Sequence, residues 1–366
     1  MILFAIKTMA HGMGGAEKVL TQVLGALASD DRDIGLVCFD GFREEPHYSL
    51  HEDVKLIRLG LGHAKGRARF WETVRRIARL RKIIKRRKPE VLIAFMHSMF
   101  IPTVIAAIGL KIPVVASEHI VFHHYRTRPL ESVLMFLSLF AIDKIVVLSD
   151  EMKARYPRFL HYKIEIIPNP PPDLKVKAHS AIALRENVIL SVGRLEAQKD
   201  QATLIHAFAQ LADDFSDWRV VIRGEGGLRY ELEGLIRGYG LEERIALPGV
   251  TNEIECEYLR AKIFALPSLY ESFGLVTVEA MAAGLPAVGF ADCPGTRDII
   301  VNGQTGFLVS DQDRVRGMSD ALKEMMQSEE LLEDMSRESV VRVQEYLSFD
   351  PKPYWEVLID EALSSS

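Results

Sequence analysis

The stretch from residue 263 to residue 288 constrains the fold of this 366-residue chain more than any other. It begins with the apolar run Ile263 to Leu266, which has the length and composition of a buried parallel strand. A loop, Pro267 to Phe273, leads into a predicted helix from Gly274 to Ala283, which a glycine and a proline end. A second apolar run follows. This order predicts an open α/β sheet, in which ligands bind at the carboxyl ends of the strands.

Two carboxylates flank the start of this helix. Glu271 lies on the loop, and Glu279 lies inside the helix, roughly 8 Å beyond Gly274 at about 1.5 Å per residue. Gly274 permits close approach of a ligand to the backbone, and the amides of the first helical turn attract an anion. We therefore predict a phosphate on these amides and hydroxyl groups bonded to both carboxylates, as in a nucleotide sugar. The simpler interpretation is a helix with two ordinary surface glutamates.

The residues of this stretch also resemble a known signature. The sequence is similar here to the E-x7-E signature of retaining GT-B glycosyltransferases of family 4. The matching residues are Glu-Ser-Phe-Gly-Leu-x3-Glu-Ala-Met-Ala-x-Gly-x-Pro-Ala-Val. The resemblance implies an α/β fold of two Rossmann-like domains with a cleft between them and a terminal helix that crosses back to the first domain. It also implies a metal-independent, retaining hexosyltransferase that uses no cofactor and takes a nucleotide sugar, most readily a UDP-sugar, as co-substrate.

Chain length and a proline-rich segment predict two domains. A chain of 366 residues can form two domains of ordinary size. Four of the five residues from Pro168 to Pro172 are prolines, which can continue neither a helix nor a sheet. We place an N-terminal domain at 1–172, a C-terminal domain at 173–349 and a returning helix at 350–366. The resemblance implies that the first domain binds the acceptor and the second the nucleotide sugar.

A glycine-rich loop follows the first predicted strand, Ile2 to Ile6. A loop between a strand and a helix can place phosphates or sugars at the helix start. Glu17 stands where a dinucleotide fingerprint needs its last glycine, and no P-loop lysine follows. A plain tight turn explains the two glycines, Gly14 and Gly15, equally well. Beside the E-x7-E signature, the loop resembles the Gly-Gly-Ala-Glu of family 4, which implies that it faces donor phosphate and acceptor.

A second loop follows the predicted strand Val188 to Val192. Its Gly-Arg-Leu-x3-Lys sequence resembles the diphosphate clamp of the family, and two cations there would neutralise a leaving diphosphate. A charged surface loop is the alternative. The resemblance implies that Glu279 binds the ribose, that Glu271 binds the sugar hydroxyls as a catalytic residue, and that a backbone strand near residue 250 reads the base. The remaining predicted donor-binding residues are Arg194, Lys199, Val250, Phe273, Gly274 and Leu275.

A histidine ends the predicted strand Val114 to Ala116. His119 resembles the family histidine that contacts the donor sugar, which implies a catalytic position near the anomeric carbon, although a lone histidine is more often structural. Arg126 and Arg128 follow and are candidates for contact with acceptor phosphates. The neighbouring histidines lack a carboxylate or cysteine at a metal-ligand spacing, so we predict no metal site.

Residues 65–88 form a strongly basic segment, with a net charge of +11 in a chain whose total is −5. On a helix, four of its cations fall within roughly a 60° stripe, opposite Phe70, Val74, Ile77 and Ile84, with Leu80 beside these apolar residues. The simpler interpretation is a crossover helix with a solvated basic face. A solvated helix normally carries both charge signs, however, and this one carries almost only positive charge. We therefore favour contact with an anionic membrane surface or a polyprenyl diphosphate. No aromatic stacking platform accompanies it, so we predict no nucleic-acid partner. The stripe consists of Arg75, Arg79, Lys82 and Arg86.

The predicted location of the protein rests on two features that the sequence lacks, a membrane-spanning run and paired cysteines. No apolar run reaches about 18 residues, and the three cysteines form no C-x-x-C pair. We predict a cytoplasmic enzyme, peripheral on the inner face of the plasma membrane, that glycosylates a lipid-linked or saccharide acceptor in bacterial surface-polysaccharide or glycoconjugate assembly. The alternatives are a catalytically silent GT-B partner subunit and a GT-B-fold sugar-nucleotide epimerase.

Overall fold

The structure, a computed structural model, describes residues 1–10, 15–28, 32–61, 70–119, 129–172 and 181–364. The chain divides into two compact units. Unit 1 comprises residues 1–170 together with 350–366, and unit 2 comprises residues 171–349. Each unit is built on a parallel sheet with helical crossovers, as the sequence predicted.

The described part of unit 1 contains a seven-stranded parallel sheet of order β3-β2-β1-β4-β5-β6-β7. The central strands are buried along their whole length, as expected for strands covered on both faces. The strand order reverses between β1 and β4, where the following loops separate. The strands are β1 Ile2–Ala5, β2 Ile34–Cys38, β3 Lys55–Arg58, β4 Val91–Phe95, β5 Val114–Ser117, β6 Lys144–Val147 and β7 Ile164–Ile166.

The crossovers of unit 1 are helical. Helix α3 packs between α2 and α4. A 3-10 helix, Arg158–Lys163, precedes β7. The α-helices are α1 Gly15–Ala28, α2 Phe70–Arg87, α3 His97–Ala107, α4 Pro129–Phe140 and α5 Asp150–Ala154.

Unit 2, as far as the structure describes it, holds a six-stranded parallel sheet of order β10-β9-β8-β11-β12-β13. Its strand order reverses between β8 and β11, so the loops after these two strands begin side by side. The strands are β8 Val188–Val192, β9 Arg219–Arg223, β10 Ile245–Gly249, β11 Ile263–Ala265, β12 Ala287–Phe290 and β13 Gly306–Val309. The α-helices are α6 Gln201–Ala209, α7 Arg229–Gly238, α8 Ile254–Arg260, α9 Leu275–Ala282, α10 Pro294–Arg297, α11 Arg314–Gln327, α12 Glu329–Arg342 and α13 Gln344–Leu347, with 3-10 turns at Ile182–Leu184 and Ala197–Lys199.

The last helix, α14 Lys352–Ser364, belongs to unit 1. It packs against α1 and β4, and it buries Trp355, Leu358 and Ile359. The Trp355 ring lies 6.1 Å from the ring of Phe4 on β1. The chain therefore returns to its first unit after completing the second.

One strand was missed by the sequence prediction. Ile164–Ile166, just before the proline-rich segment, was not predicted as a strand, but it forms β7 and pairs with β6. The prediction failed because the prolines begin only at Pro168, and three residues are too short for a periodicity signal. Across the described segments, no helix is long and apolar enough to cross a membrane.

Candidate active site

The loops after β8 and β11 are joined to each other at the carboxyl end of the unit 2 sheet. The amide of Leu269 donates to the carbonyl of Gln198 over 2.9 Å. The Gln198 side-chain amide donates in turn to the carbonyl of Tyr270 over 2.8 Å. The two loops, far apart in sequence, therefore form one surface at the switch point of the sheet.

An ion pair between Lys199 and Glu271 lies at the centre of this surface. The Lys199 Nζ donates to Glu271 Oε1 over 2.5 Å, and the hydroxyl of Ser268 donates to the same oxygen over 2.6 Å. The two side chains are only 14% and 11% exposed. Charge-assisted hydrogen bonds of this length are stronger than neutral ones. The carboxylate is thus held by two donors, in a position that the sequence alone did not reveal.

Glycines make room for the lysine. A Cβ atom on Gly193 would lie 3.2 Å from Lys199 Cδ, so the lysine stem runs closely over the glycine. Gly224, which follows β9, has a φ of +147°, and its Cβ would lie 1.9 Å from the Gly193 carbonyl oxygen. The loop after β8 is therefore pressed between the lysine and the neighbouring strand end.

Gly274 caps the N-terminus of α9 in a left-handed conformation, with a φ of +74°. A Cβ atom there would lie 2.9 Å from the carbonyl oxygen of Gly295 on α10, and one on Gly295 would lie 2.7 Å from the Phe273 nitrogen. The first amides of a helix find no carbonyl partner within it, and they form the positive end of its dipole. The start of α9, including Leu275, is therefore suited to an anion.

Glu279 lies in the second turn of α9 and is buried. The hydroxyl of Tyr258, a fully buried residue of α8, donates to Glu279 Oε2 over 3.0 Å. Burial, with a further contribution from Glu279, raises the pKa of Tyr258 well above its ordinary value. The phenol therefore stays protonated and remains a donor to the carboxylate. Sequence reasoning missed Tyr258, whose one signal is a tyrosine within an apolar helical pattern.

Arg314, the first residue of α11, was also missed. Its Nη2 donates to the carbonyls of Pro267 and Ser268 over 2.8 and 3.1 Å. Its Nε lies 3.4 Å from a carboxylate oxygen of Asp200, which follows Lys199. The guanidinium stacks over Phe290 at 3.5 Å from the ring centroid. This one side chain therefore contacts both loops that supply the Lys199–Glu271 pair.

The other predicted donor-binding residues of unit 2 lie around these loops. Arg194 is 55% exposed and forms an ion pair with Glu196 at 2.9 Å. Such exposed pairs contribute little to stability, so the guanidinium can be redirected to a ligand. Val250 is exposed just after β10, and Phe273 is half-buried. The Phe273 ring packs edge to face on Tyr346 with the centroids 5.8 Å apart.

His119 of unit 1 lies two residues beyond the end of β5. Its ring stacks on Phe95 with the centroids 4.2 Å apart, and its Nε2 lies 2.9 Å from Ser117 Oγ. Burial lowers the pKa of the imidazole to about 3. The ring is therefore neutral at physiological pH. Gly15 begins α1, whereas Gly14, Arg126 and Arg128 lie outside the described residues.

The basic stripe of α2 is exposed, and the predicted apolar side of this helix was right in part. Leu80 and Ile84 are buried as predicted, whereas Val74 is 42% exposed and Arg76 is buried. Arg76 can be buried because it pairs with Glu72 and lies over an aromatic ring. An arginine at a core position carries no hydrophobic signal, which is why the pattern missed it. The exposed stripe residues are Arg75, Arg79, Lys82 and Arg86.

Arg79 of this stripe is engaged within unit 1. Its Nη1 donates to the carbonyl of Leu59 over 2.6 Å. The other three cations of the stripe extend from the helix surface. In the parts of the chain that the structure describes, no group of three or more His, Cys, Asp or Glu side chains could hold a metal ion.

The two sheets and their switch-point loops define the class of protein. Sucrose-phosphate synthase from Thermosynechococcus elongatus superposes with a TM-score of 0.84 at 19% identity, covering 100% of this chain and 99% of that one. Anabaena HepE, solved in complex with UDP and glucose, gives a TM-score of 0.77 at 20% identity over 100% and 99% of the two chains. The fold is that of the GT-B glycosyltransferases, as the sequence predicted.

Two family models match consecutive parts of the chain. The model described as Glycosyltransferase Family 4 matches residues 13–171, and the one described as Glycosyl transferases group 1 matches residues 174–340. The chain belongs to family 4 of the GT-B glycosyltransferases. A similar protein from Campylobacter jejuni, 26% identical over 98% of both chains, is GalNAc-alpha-(1->4)-GalNAc-alpha-(1->3)-diNAcBac-PP-undecaprenol alpha-1,4-N-acetyl-D-galactosaminyltransferase.

Proposed function

We propose that this glycosyltransferase moves a hexose or N-acetylhexosamine from a UDP-sugar to a lipid-linked glycan in bacterial glycoconjugate assembly. The observation that carries the proposal is the Lys199–Glu271 pair beside the N-terminus of α9, with Glu279 in the second turn of the same helix. The name of the Campylobacter relative, which is similar over its whole length, includes a diphospho-undecaprenol acceptor. Anabaena HepE, which shares the fold, binds UDP and glucose in its crystal structure, and this supports UDP as the nucleotide.

In this proposal the diphosphate binds between the amides at the start of α9 and two cations. Lys199 carries three donors, so its Nζ can bind a phosphate oxygen while it still contacts Glu271. Arg194 turns from Glu196 to the second phosphate. Charge develops on the leaving diphosphate in the transition state, and preorganised cations and amides there lower the barrier. The amides are those of Gly274 and Leu275.

The carboxylates hold the rest of the donor. Glu279, oriented by Tyr258, binds the ribose hydroxyls, and Glu271 binds hydroxyls of the sugar. Neutral His119 orients the sugar near the anomeric carbon as a hydrogen-bonding group and carries no charge. The backbone near Val250 contacts the base, and Phe273 closes the diphosphate side.

The reaction that we propose retains the anomeric configuration and uses no metal. The bond between the anomeric carbon and the β-phosphate oxygen breaks, and a bond to an acceptor hydroxyl forms. The acceptor hydroxyl proton passes to the β-phosphate oxygen that leaves, and UDP is the second product. No carboxylate of this chain is assigned as a covalent nucleophile. We assign donor binding to residues 173–349, with Gly14 and Gly15 of the first domain also facing the donor phosphate, and acceptor binding to residues 1–172, including Arg126 and Arg128.

We also propose that α2 attracts the enzyme to the inner face of the plasma membrane, where a lipid-linked acceptor would lie. Each basic residue near an anionic surface contributes about 1 kcal/mol, and salt screens this attraction. Changing all four residues of the stripe to serine should weaken binding to anionic vesicles at low salt. Unchanged vesicle binding and unchanged turnover of a lipid acceptor would refute this role. The substitutions are Arg75→Ser, Arg79→Ser, Lys82→Ser and Arg86→Ser.

A thermal-shift panel with UDP, GDP, ADP and their sugars, in the presence of EDTA, tests the donor site. A ligand at a hundredfold excess over its Kd stabilises the native state by about 2.7 kcal/mol. We expect an upshift with the UDP series alone. No shift in folded protein would favour the silent partner subunit. Sugar interconversion, or release of UDP from a UDP-sugar without any acceptor, would favour the epimerase.

Two substitutions then test the site itself. Lys199→Met and Glu271→Gln should each lower kcat/KM by about 10²- to 10³-fold, the usual cost of one group that stabilises developing charge. Because the two side chains contact each other, their effects should be coupled, and the double variant should lose less than the product of the two single losses. Glu196→Gln, which removes the exposed partner of Arg194, is the control and should stay near wild type. Near-normal turnover of Glu271→Gln would contradict the assignment.

A further inference from the structure

Helix α4 of unit 1 presents an apolar face to solvent. Five large hydrophobic side chains on this helix are between 41% and 57% exposed. Over 12 residues the helix is about 18 Å long at about 1.5 Å per residue, so the face spans its length. The five residues are Val133, Leu134, Phe136, Leu137 and Phe140.

The 3-10 helix before β7 extends this face. Phe159 is 54% exposed, and its ring stacks on that of Phe140 with the centroids 6.0 Å apart. Phe136 contacts both rings edge to face, at 5.3 and 6.5 Å. Tyr162 is exposed beside them. We call Phe159, Tyr162 and the five exposed residues of α4 the aromatic face.

A face of this kind requires an explanation. Soluble proteins normally expose large hydrophobic side chains singly, as unit 2 does at Tyr230 and Val341. A contiguous apolar patch, in contrast, marks an interaction site. The ring contacts hold Phe136, Phe140 and Phe159 together at the surface, so they form one patch.

The surroundings of the aromatic face are cationic. Arg158 is exposed next to Phe159, and Lys163 lies 5.8 Å from the Tyr162 ring centroid. On the other side, α3 is followed by exposed Ile108 and packs between α4 and the basic helix α2. The Arg81 Nη1 of α2 donates to the Ile108 carbonyl over 2.7 Å. Helix α3 therefore lies between α4, which carries most of the aromatic face, and the basic helix α2.

This combination matches an anionic bilayer surface better than a second copy of the chain. An apolar helix face flanked by Lys and Arg is the pattern of elements that lie in the membrane interface. Aromatic rings such as Tyr162 favour the headgroup level. A second copy would bring the same positive border against itself, and like charges at an interface cost free energy.

The aromatic face is distinct from the site residue of its own unit. In a parallel sheet each crossover helix runs back toward the amino ends of the strands. The Phe140 end of α4, and the 3-10 helix before β7, therefore lie at the amino end of the sheet. His119 follows the carboxyl end of β5. The part of the face formed by Phe140, Phe159 and Tyr162 therefore lies away from the proposed sugar site.

We propose that the aromatic face inserts into the headgroup region of an anionic membrane, with the charges of α2 providing long-range attraction. The inference rests on the proposed function in one respect: the reason for docking to the membrane would be access to a lipid-linked acceptor. Membrane binding is measured without donor or acceptor. Membrane binding can therefore be absent in an enzyme that transfers the sugar, or present in a protein that does not.

The test is co-sedimentation of the full chain with vesicles of phosphatidylcholine and phosphatidylglycerol at low and high salt. Leu137→Ser, Phe140→Ser and Phe159→Ser together should weaken binding by about a hundredfold at both salt concentrations, because burial of apolar area is not screened. The four serine substitutions in the α2 stripe should weaken it chiefly at low salt. The control, Tyr230→Ser with Val341→Ser, removes comparable exposed side chains from unit 2 and should bind as wild type. Equal binding by the triple variant and wild type at both salt concentrations would overturn the proposal.

A second measurement reports insertion directly. Phe159→Trp in a Trp71→Phe background places an indole on the aromatic face, and brominated lipids quench an indole that enters the bilayer. We expect quenching by these vesicles and unchanged turnover of a soluble acceptor. Light scattering shows whether the face pairs two copies. A wild-type dimer that the triple variant converts to a monomer, without quenching by lipid, would overturn the proposal in favour of a second copy.

Discussion

At the scale of single residues, Tyr258 is predicted to affect ligand binding through its hydrogen bond to Glu279. Tyr258→Phe removes only the hydroxyl that donates to Glu279 over 3.0 Å. A hydrogen bond to a charged group contributes about 1.5–3 kcal/mol, so UDP should bind about 10- to 100-fold more weakly. Calorimetric titration measures this, with Tyr239→Phe, which removes a hydroxyl that contacts His206, as the control. Wild-type affinity in Tyr258→Phe would show that Glu279 does not depend on this donor.

His119 gives a prediction about pH. Its pKa is lowered from 6.5 to about 3 in the folded protein by burial. Below pH 6.5 the unfolded chain therefore binds a proton that the folded chain does not, and stability falls as the pH falls from about 6.5 toward 3. The slope is on the order of 1 kcal/mol per pH unit. His119→Gln should lose this part of the acid sensitivity in denaturant titrations between pH 7 and 5.

The control for this experiment is His206→Gln, which alters an imidazole on α6 at the surface. Its acid sensitivity is compared with that of wild type and of His119→Gln. Equal acid sensitivity in His119→Gln and wild type would contradict the burial of the imidazole. Activity follows the same logic, because a ring that is neutral near pH 7 cannot supply a positive charge to the sugar site.

At the scale of elements, α11 contacts both loops of the candidate site through its first residue, Arg314. Arg314→Met keeps an apolar stem near Phe290 but removes the donors to Pro267 and Ser268. The loop that carries Glu271 should then lose its fixed position. We expect kcat/KM to fall by about 10- to 100-fold and stability by about 1–3 kcal/mol.

Arg316→Met is the matched control, since Arg316 lies two residues further along α11 and is exposed. It should change neither activity nor melting temperature. Arg314→Lys keeps the charge but not the planar fork, so it should rescue only part of the rate. A merely structural role for Arg314 would lower the melting temperature while kcat/KM measured below that temperature stayed at the wild-type value.

At the scale of the whole molecule, the last helix contributes to the stability of the first unit. A chain ending at Phe349 lacks the buried Trp355, Leu358 and Ile359 of α14. Each such side chain contributes about 1.5–3 kcal/mol when fully buried. Hydrogen exchange should therefore accelerate across β1 and β4 while residues 181–349 keep their protection. A chain ending at Ser364 is the control, and unchanged exchange in β1 of the shorter chain would refute this role.

The sequence predicted the periodic elements of both sheets well. The strand Val188–Val192 was located to the residue, and the strand Val114–Ser117 to within one residue, because each is an apolar run that ends at a loop signal. The helix after Gly274 was predicted within one residue at each end. In contrast, β7 was too short to be seen, and the burial of Arg76 on α2 was missed because an arginine carries no hydrophobic signal.

The sequence by itself determined the class of fold, the family and the positions of Glu271 on a loop and Glu279 in a helix, because these depend on local pattern and spacing. Only the tertiary structure decided that Lys199 pairs with Glu271, 72 residues away. The same is true of Tyr258 at Glu279 and of Arg314 across both loops. These contacts depend on strand order, which places the ends of β8 and β11 side by side. A linear pattern carries no record of which strands become neighbours, since that is set by packing of the whole sheet.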